Sequence, residues 1–191
     1  MRYLAARAIL AALALQTTAA RATDIFSLDQ TNGSIRFSVD HFGSFTSEGR
    51  FPRFSGRLVI DRARPEATTI DVMADAASVT IPWPDGAALL RGPEFFDAGR
   101  FQSIRFTSGS ITPIDASHFR IIGTLEIRGI RHPLTLEAML RKRVAEQGRE
   151  SADFSVTGVL SRAAYGMTTQ SVMISDQVRL LIDARIALPM P

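Results

Sequence analysis

The sequence of 191 residues contains no cysteine, one tryptophan, one lysine and three histidines. Without cysteine the protein can form no disulfide, thiolate nucleophile, thiolate-ligated metal site or iron–sulfur cluster. Chains of this length bury enough surface to fold without such cross-links. The histidines, His41, His118 and His132, lie in separate segments and show no ligand spacing. The sequence therefore predicts neither a metal site nor a bound cofactor.

Sequence motifs of the common enzyme classes are also absent. The chain has no Gly-x-Ser-x-Gly elbow, no His-Glu-x-x-His helix, no phosphate-binding P-loop and no Gly-x-Gly-x-x-Gly turn. We therefore predict that the protein is not an enzyme. One alternative stays open, an enzyme that acts on a lipid, with Asp40 and His41 as the candidate residues.

The first 22 residues are typical of a cleavable export signal. Arg2 and Arg7 precede an unbroken apolar run at 8–15, and Ala20-Arg21-Ala22 offers the small-x-small pattern before a cleavage site. A transmembrane helix would need about 20 apolar residues in a row, whereas Gln16 interrupts this run early. We expect cleavage after about Ala22, a periplasmic protein and a single domain from 23 to 191.

The net charge of +3 comes entirely from this segment, which contains three arginines and no acidic residue. Removing those three from the 22 Lys and Arg residues leaves 19 basic residues against 19 acidic ones. Binding to nucleic acid depends on clustered, uncompensated basic side chains. The sequence therefore predicts no nucleic-acid partner.

Apolar and polar residues alternate along most of the remaining chain, which predicts strands with one buried face. Asn32-Gly33 predicts a two-residue type I′ hairpin. About eight strands in consecutive hairpins favour an all-β antiparallel barrel, because closure removes exposed strand edges. A two-sheet sandwich is the alternative. The clearest alternating runs are 35–39, 70–74, 104–106, 119–127, 134–140, 154–160 and 178–186.

The alternation stops between 76 and 99. Asp85 as N-cap and Gly92 at the C-terminal end predict a short helix near residues 85–92. Leu89, Leu90 and the following Phe95 and Phe96 give this insertion an apolar side. We expect that side to cover the mouth of the sheet.

An eight-stranded barrel is wide enough to hold one slender ligand. The small residues Gly123, Gly158, Ala74, Ala138 and Ala184 are predicted to face inward and leave room for it, although packing into a filled core is the alternative. The residues predicted to line the tunnel are Phe37, Val39, Phe42, Phe45, Phe51, Phe54, Leu89, Phe95, Phe96, Phe106, Leu125, Phe154 and Leu180.

Three polar residues, His41, Arg50 and Arg53, are candidates for contact with a ligand head group. Arginine stacks on rings and binds polar groups with several donors. In the alternative interpretation, His41 bonds to backbone at the rim, and the two arginines face outward between the inward-facing Phe51 and Phe54.

Six stretches of the chain, in this order and spacing, resemble the YceI-like family of lipocalin-like, polyisoprenoid-binding bacterial proteins. They are FSVDHFG (37–43), GRFPRFSGRL (49–58), LRGPEFFDAGRFQSIRF (90–106), GTLEIRGIRHPLTL (123–136), FSVTGVLSRAAYGM (154–167) and ISDQVRLLI (174–182). The resemblance implies an eight-stranded barrel whose apolar tunnel holds an isoprenoid or quinone-like lipid. The sequence departs from the family pattern at Gln102 and at Trp83, between two prolines.

On this basis we predict a periplasmic carrier for such a lipid. A structural module that contacts the membrane or a membrane redox protein is a second alternative, and it would have a filled core. The sequence leaves the oligomeric state open, with a homodimer among the options.

Overall fold

The computed structural model describes residues 23–41, 45–61, 64–83, 85–146 and 149–189. The predicted export signal lies outside the described residues, as does Phe42. Almost all described elements are strands, so the all-β prediction is confirmed. The strands are β1 Thr23–Asp29, β2 Gly33–His41, β3 Phe45–Arg50, β4 Phe54–Asp61, β5 Thr69–Asp75, β6 Ser103–Pro113, β7 His118–Ile127, β8 Ile130–Glu146, β9 Arg149–Ser161 and β10 Ile174–Pro189, with one α-helix, α1, Gly86–Arg91.

The ten strands form one antiparallel sheet in the order β1-β4-β5-β6-β7-β8-β9-β10-β2-β3. β2 and β3 lie at one end of this order and β1 and β4 at the other. Because β1 runs on into β2, and β3 into β4, the two ends of the sheet are parts of the same pair of long strands. The sheet therefore closes into a barrel.

The pairing registers show that the barrel wall consists of eight long strands. Thr23 lies opposite Asp61 in β1 and β4, and His41 lies opposite Phe45 in β2 and β3. One antiparallel pairing therefore runs from residue 23 to 41 against 45 to 61, interrupted at 30–32 and 51–53. Ten strand segments thus correspond to the eight strands predicted from the sequence.

The prediction of a type I′ hairpin at Asn32-Gly33 is wrong. β1 and β2 do not pair, and Gly33 does not have a positive φ. The Asn32 side chain instead accepts a hydrogen bond from Asp29 N at 2.8 Å and donates one to Ser27 O at 2.8 Å. These contacts hold an irregularity within one long strand.

A two-residue hairpin of the expected kind occurs between β7 and β8. Arg128 and Gly129 have φ values of 54° and 71°, and Ile127 pairs with Ile130 across them. Consecutive positive φ values define the type I′ turn, whose twist matches that of antiparallel strands. The turn falls in the gap between the alternating runs 119–127 and 134–140, and β8 begins directly after it at Ile130.

The short helix forms where the sequence predicts it, over Gly86–Arg91. Asp85 occupies the N-cap position, although its side chain makes no capping hydrogen bond. The chain then folds back under the helix, since Phe96 N donates to Leu90 O at 2.9 Å and Ala98 N to Arg91 O at 3.0 Å. No described helix is long and apolar enough to span a membrane.

Inward-facing apolar side chains from all around the barrel form the core. One cluster centres on β6 to β9, with Leu125, Leu136 and Tyr165 among its members. A second cluster centres on β1, β2 and β4, with Leu28, Phe37 and Phe54. The outer face instead carries cross-strand ion pairs between exposed side chains, which contribute little to stability individually.

Candidate functional site

A cavity of about 450 Å³ occupies the barrel beneath α1. Side chains from all ten strands and from the helical segment surround it. Leu89 of α1 and Trp83 of the preceding loop line the cavity and are also exposed, which identifies this end as its mouth. The volume lies within the range of ligand-binding pockets.

Most of the predicted tunnel residues contact this cavity. Of the others, Phe154 lines a second cavity, whereas Phe54 is buried in the core and lines neither. Their part in ligand binding stays a prediction. The predicted tunnel residues that line the first cavity, called the mouth cavity below, are Phe37, Val39, Phe51, Leu89, Phe95, Phe96, Phe106, Leu125 and Leu180.

Phe45 does not belong to the lining. Its side chain is 70 % exposed. It lies on the same face of β3 as the inward-facing Ser47 and Gly49, but it is the first residue of the strand, where no further lining covers it. Phe45 pairs with His41 at the end of the strand, beside the mouth rather than inside it.

Arg50 and Arg53 face outward, as the alternative interpretation has it. Arg50 Nε donates to Thr80 Oγ1 at 3.3 Å, and Arg53 forms an ion pair with Asp75 at 2.8 Å. The alternation of β3 places Arg50 on the solvent side. Neither arginine lines a described cavity, so their contact with a ligand head group stays a prediction.

His41 does line the cavity. Its Nε2 atom is buried and has no hydrogen-bond partner among the described residues, and its ring lies 5.7 Å from that of Trp83. Buried polar atoms are nearly always paired, because an unpaired one has lost its hydrogen bonds to water. The unpaired nitrogen therefore marks a place where a bound molecule can supply the missing partner.

Asp40 lies on the opposite face of β2 from His41. Its carboxylate accepts hydrogen bonds from Arg179 at 2.8 Å and from Thr46 at 2.8 Å. The bond from Arg179 holds the pKa of Asp40 below its usual value. Adjacent residues of a strand point to opposite sides, so Asp40 and His41 do not form an acid–base pair inside the barrel.

Arg162 is a second polar residue of the cavity lining. It is 4 % exposed and donates to the carbonyl oxygens of Ser175 at 3.0 Å, Thr169 at 2.9 Å and Ile174 at 3.0 Å, and to that of Met167. Burial lowers the pKa of its guanidinium. Four of its five N–H groups are therefore used within the segment from 167 to 175.

Arg162 and His41 occupy the same corner of the cavity. Ile174, whose carbonyl accepts a bond from Arg162 Nη2, is the strand partner of His41. The described side chains that line the cavity are otherwise apolar, except Ser47 and Gln170. The site thus combines a hydrocarbon chamber with one polar corner, where one guanidinium N–H and one imidazole nitrogen remain available.

Two inward-facing glycines, Gly49 and Gly123, make room for aromatic rings, whereas the sequence predicted that small inward residues leave room directly for a ligand. A Cβ on Gly49 would lie 2.3 Å from Cζ of Phe37, and one on Gly123 would lie 2.5 Å from Cζ of Phe106. The rings thus already cover the space above these glycines. The glycines therefore provide space for the rings of Phe37 and Phe106.

A second cavity of about 400 Å³ lies toward the other end of the barrel. Ala138 and Ala152 line it, and Arg143 and Glu150, an ion pair at 3.0 Å, border it. The two cavities meet at a shared wall, which we define as the residues that line both, Leu58, Ile70, Ile121, Val156 and Ala184.

The remaining histidines have partners outside the cavity. His132 Nε2 lies 3.0 Å from Ala164 O and packs edge-on against Tyr165, while His118 Nδ1 lies 2.8 Å from Asp115. Among the residues that the structure describes, no cluster of three or more His, Asp or Glu side chains could hold a metal ion.

Comparison with known proteins agrees with the fold and with the family resemblance. The family model for the YceI-like domain matches residues 26–186. The UPF0312 protein YE1254 of Yersinia enterocolitica is 28 % identical over 150 residues, which cover 78 % of each chain. Each of these is a likeness over nearly the whole described barrel.

Two solved structures share the fold. BcnA of Burkholderia cenocepacia has a TM-score of 0.73 at 18 % identity and covers 83 % of this chain and 99 % of its own. A polyisoprenoid binding domain from Saccharophagus degradans, implicated in plant cell wall breakdown, has a TM-score of 0.57 at 16 % identity, with 86 % and 98 % covered.

Proposed function

Because the chain belongs to the YceI-like domain family, we propose that it binds a polyisoprenoid or a quinone-like lipid in the barrel and carries it in the periplasm. The observation that carries this proposal is the mouth cavity, which has an almost wholly apolar lining and a single polar corner. The polyisoprenoid-binding domain with the same fold supports the choice of ligand class. The sequence of the first 22 residues supports the periplasmic location.

The energetics of an apolar chain suit such a cavity. Burying about 400 Å² of hydrocarbon at roughly 25 cal/mol per Å² contributes on the order of 10 kcal/mol. Association costs several kcal/mol in lost freedom of the ligand. The remainder is enough for tight binding without an extended polar network, so chain length and shape dominate selectivity.

The polar corner supplies the contact for a head group. One N–H of Arg162 Nη2 remains to donate to a ligand oxygen, and His41 Nε2 can donate or accept according to its tautomer. A quinone carbonyl or a prenol hydroxyl matches this pair of groups. We place the head group there and the chain along the apolar wall.

A lipid-modifying enzyme and a filled structural module fit the geometry less well. The outward direction of Asp40 removes the candidate partner of His41, and the proposed role is therefore binding without turnover. The cavity of about 450 Å³ disfavours a module whose core is packed throughout.

We expect the protein purified without detergent from an expressing cell to contain lipid. Native mass spectrometry should show a mass above that of the processed chain, and organic extraction should release a polyprenol or a prenylated quinone. An empty protein that also fails to take up added polyprenols and quinones would contradict the proposed function.

Replacing His41 by leucine is expected to weaken binding of prenylated quinone by about five- to tenfold, because one hydrogen bond in a dry cavity contributes about 1 to 1.5 kcal/mol. Affinity for a plain hydrocarbon chain of similar length should stay unchanged, and titration of both ligands measures the difference. His118→Leu, at an exposed histidine outside the cavity, is the control. Equal weakening for both ligands would show that His41 shapes the chamber and does not contact the head group.

A further inference from the structure

Five large apolar side chains are exposed around the mouth of the barrel. Val172 is 91 % exposed, Phe45 70 %, Trp83 47 %, Met173 46 % and Leu89 42 %. We call these five residues the apolar rim. Val172 and Phe45 are the most exposed large hydrophobic residues among the described part of the chain.

The rim residues lie together although they come from three separate segments. Trp83, Leu89 and Met173 all line the mouth cavity. Phe45 is the strand partner of His41, which lines the same cavity, and Val172 directly precedes Met173. The rim is therefore continuous with the apolar lining.

Other exposed apolar residues show a different arrangement. Met73 and Val159 lie on the outer faces of strands and have an arginine as a strand partner, Arg105 and Arg179 respectively. Both arginines form ion pairs with aspartates. Single apolar residues among charged ones are common on protein surfaces. A group of five around one opening is a larger apolar patch and marks an interaction surface.

We propose that the apolar rim docks on the surface of a lipid bilayer, and that the ligand enters and leaves the barrel there. This inference rests on the proposed function. A long isoprenoid resides in a bilayer, and passage through water would expose its whole apolar surface. A rim that touches the bilayer lets the chain pass directly from the acyl region into the cavity.

The chemistry of the rim favours insertion over electrostatic attraction. Tryptophan is enriched at the membrane–water interface, where its ring spans the apolar and polar layers. Residues 23–191 have 19 basic and 19 acidic side chains, so there is no excess of positive charge to bind anionic lipid. A second copy of the chain is a less suitable partner for the rim, because its docking would close the mouth of the cavity.

The single tryptophan of the chain, Trp83, reports directly on docking. The processed protein should bind vesicles of pure phosphatidylcholine with a blue shift of tryptophan emission, and added salt should not weaken this binding. The double variant Phe45→Ser/Val172→Ser keeps Trp83 and changes no cavity-lining residue. We expect at least about tenfold weaker partition to vesicles, because two apolar anchors are lost, and slower delivery of a prenylated quinone to acceptor vesicles.

Met73→Ser/Val159→Ser is the matched control, because it also removes two exposed apolar side chains, which lie away from the mouth. It should behave as the wild type does. Unchanged vesicle binding in the rim variant, strong weakening by salt in the wild type, or a wild-type dimer that the rim variant dissociates would each overturn the proposal. Ligand affinity measured in vesicle-free solution separates the two proposals. A protein that binds ligand but no vesicles would contradict only the docking proposal. A protein that binds no ligand would contradict the proposed function.

Discussion

Ala184→Phe is expected to reduce affinity for a long isoprenoid at least about 100-fold, which corresponds to roughly 2.7 kcal/mol. Ala184 lies on β10 in the shared wall and lines both cavities. A phenyl ring at this position takes up volume where the two cavities meet. The ligand and the ring then compete for the same volume.

The effect of this substitution on stability distinguishes a cavity from a packed core. Adding a ring to a well-packed core typically costs about 1 to 3 kcal/mol, whereas filling a void is neutral or stabilising. We expect the free energy of unfolding of the ligand-free protein to change by less than about 1 kcal/mol. Denaturant unfolding measures it, and ligand titration measures the affinity.

Leu181→Phe is the control for Ala184→Phe, since Leu181 lies on the same strand and is 37 % exposed. It should alter neither affinity nor stability. If Ala184→Phe bound the ligand as the wild type does, the ligand would not occupy the shared wall. A loss of stability near 3 kcal/mol would indicate a filled interior.

Arg162→Met is expected to destabilise the fold by about 3 kcal/mol or more, because carbonyl groups left without a donor in a buried site cost about 1 to 3 kcal/mol each. Methionine preserves much of the apolar stem but donates no hydrogen bond. The carbonyls of Met167, Thr169, Ile174 and Ser175 all lose the same donor. Thermal unfolding should show a decrease in Tm of roughly 6 °C or more, at about 2 to 4 °C per kcal/mol.

Arg179→Met is the matched control, because it removes an exposed arginine from the neighbouring strand β10. Exposed ion pairs contribute little to stability, so its Tm should stay near that of the wild type. Arg162→Lys should lie between the two, since lysine retains the charge but has three donors instead of five. Wild-type stability in Arg162→Met would show that water satisfies the four carbonyls and that the guanidinium is not required to order this segment.

Asp85 and Gly92 as capping residues predicted the helix at Gly86–Arg91, the family resemblance decided for a barrel over a sandwich, and the strands were predicted by the alternation of residues. It could also place Phe37 and Leu180 inside, because period-two patterns report which face is buried. It could not show that Phe45, on the inward side of the short strand β3, is exposed, because this depends on where the strand begins. It also left the direction of Arg50 open, since Ser47 and Gly49 of the same strand are not large apolar residues that would reveal the register.

The burial of Arg162 could not be predicted from the sequence, because it depends on hydrogen bonds to residues 5 to 13 positions further along the chain, which no local pattern encodes. Its four partners are backbone carbonyls of the segment from 167 to 175. A polar residue next to a turn is usually exposed. The left-handed Gly166, with φ 75°, is the one local signal that the chain folds back over Arg162.

The pairing of β2 with β10 also sets when the protein can become functional during synthesis. Gly33 lies opposite Ala184 and Ile35 opposite Ile182, so closure joins the two ends of the chain. Contacts at such long sequence separation form slowly, because a large loop must be ordered first. The nascent chain therefore has no enclosed chamber until the last strand has been made. Under the proposed function, lipid can therefore be loaded only after β10 has been made.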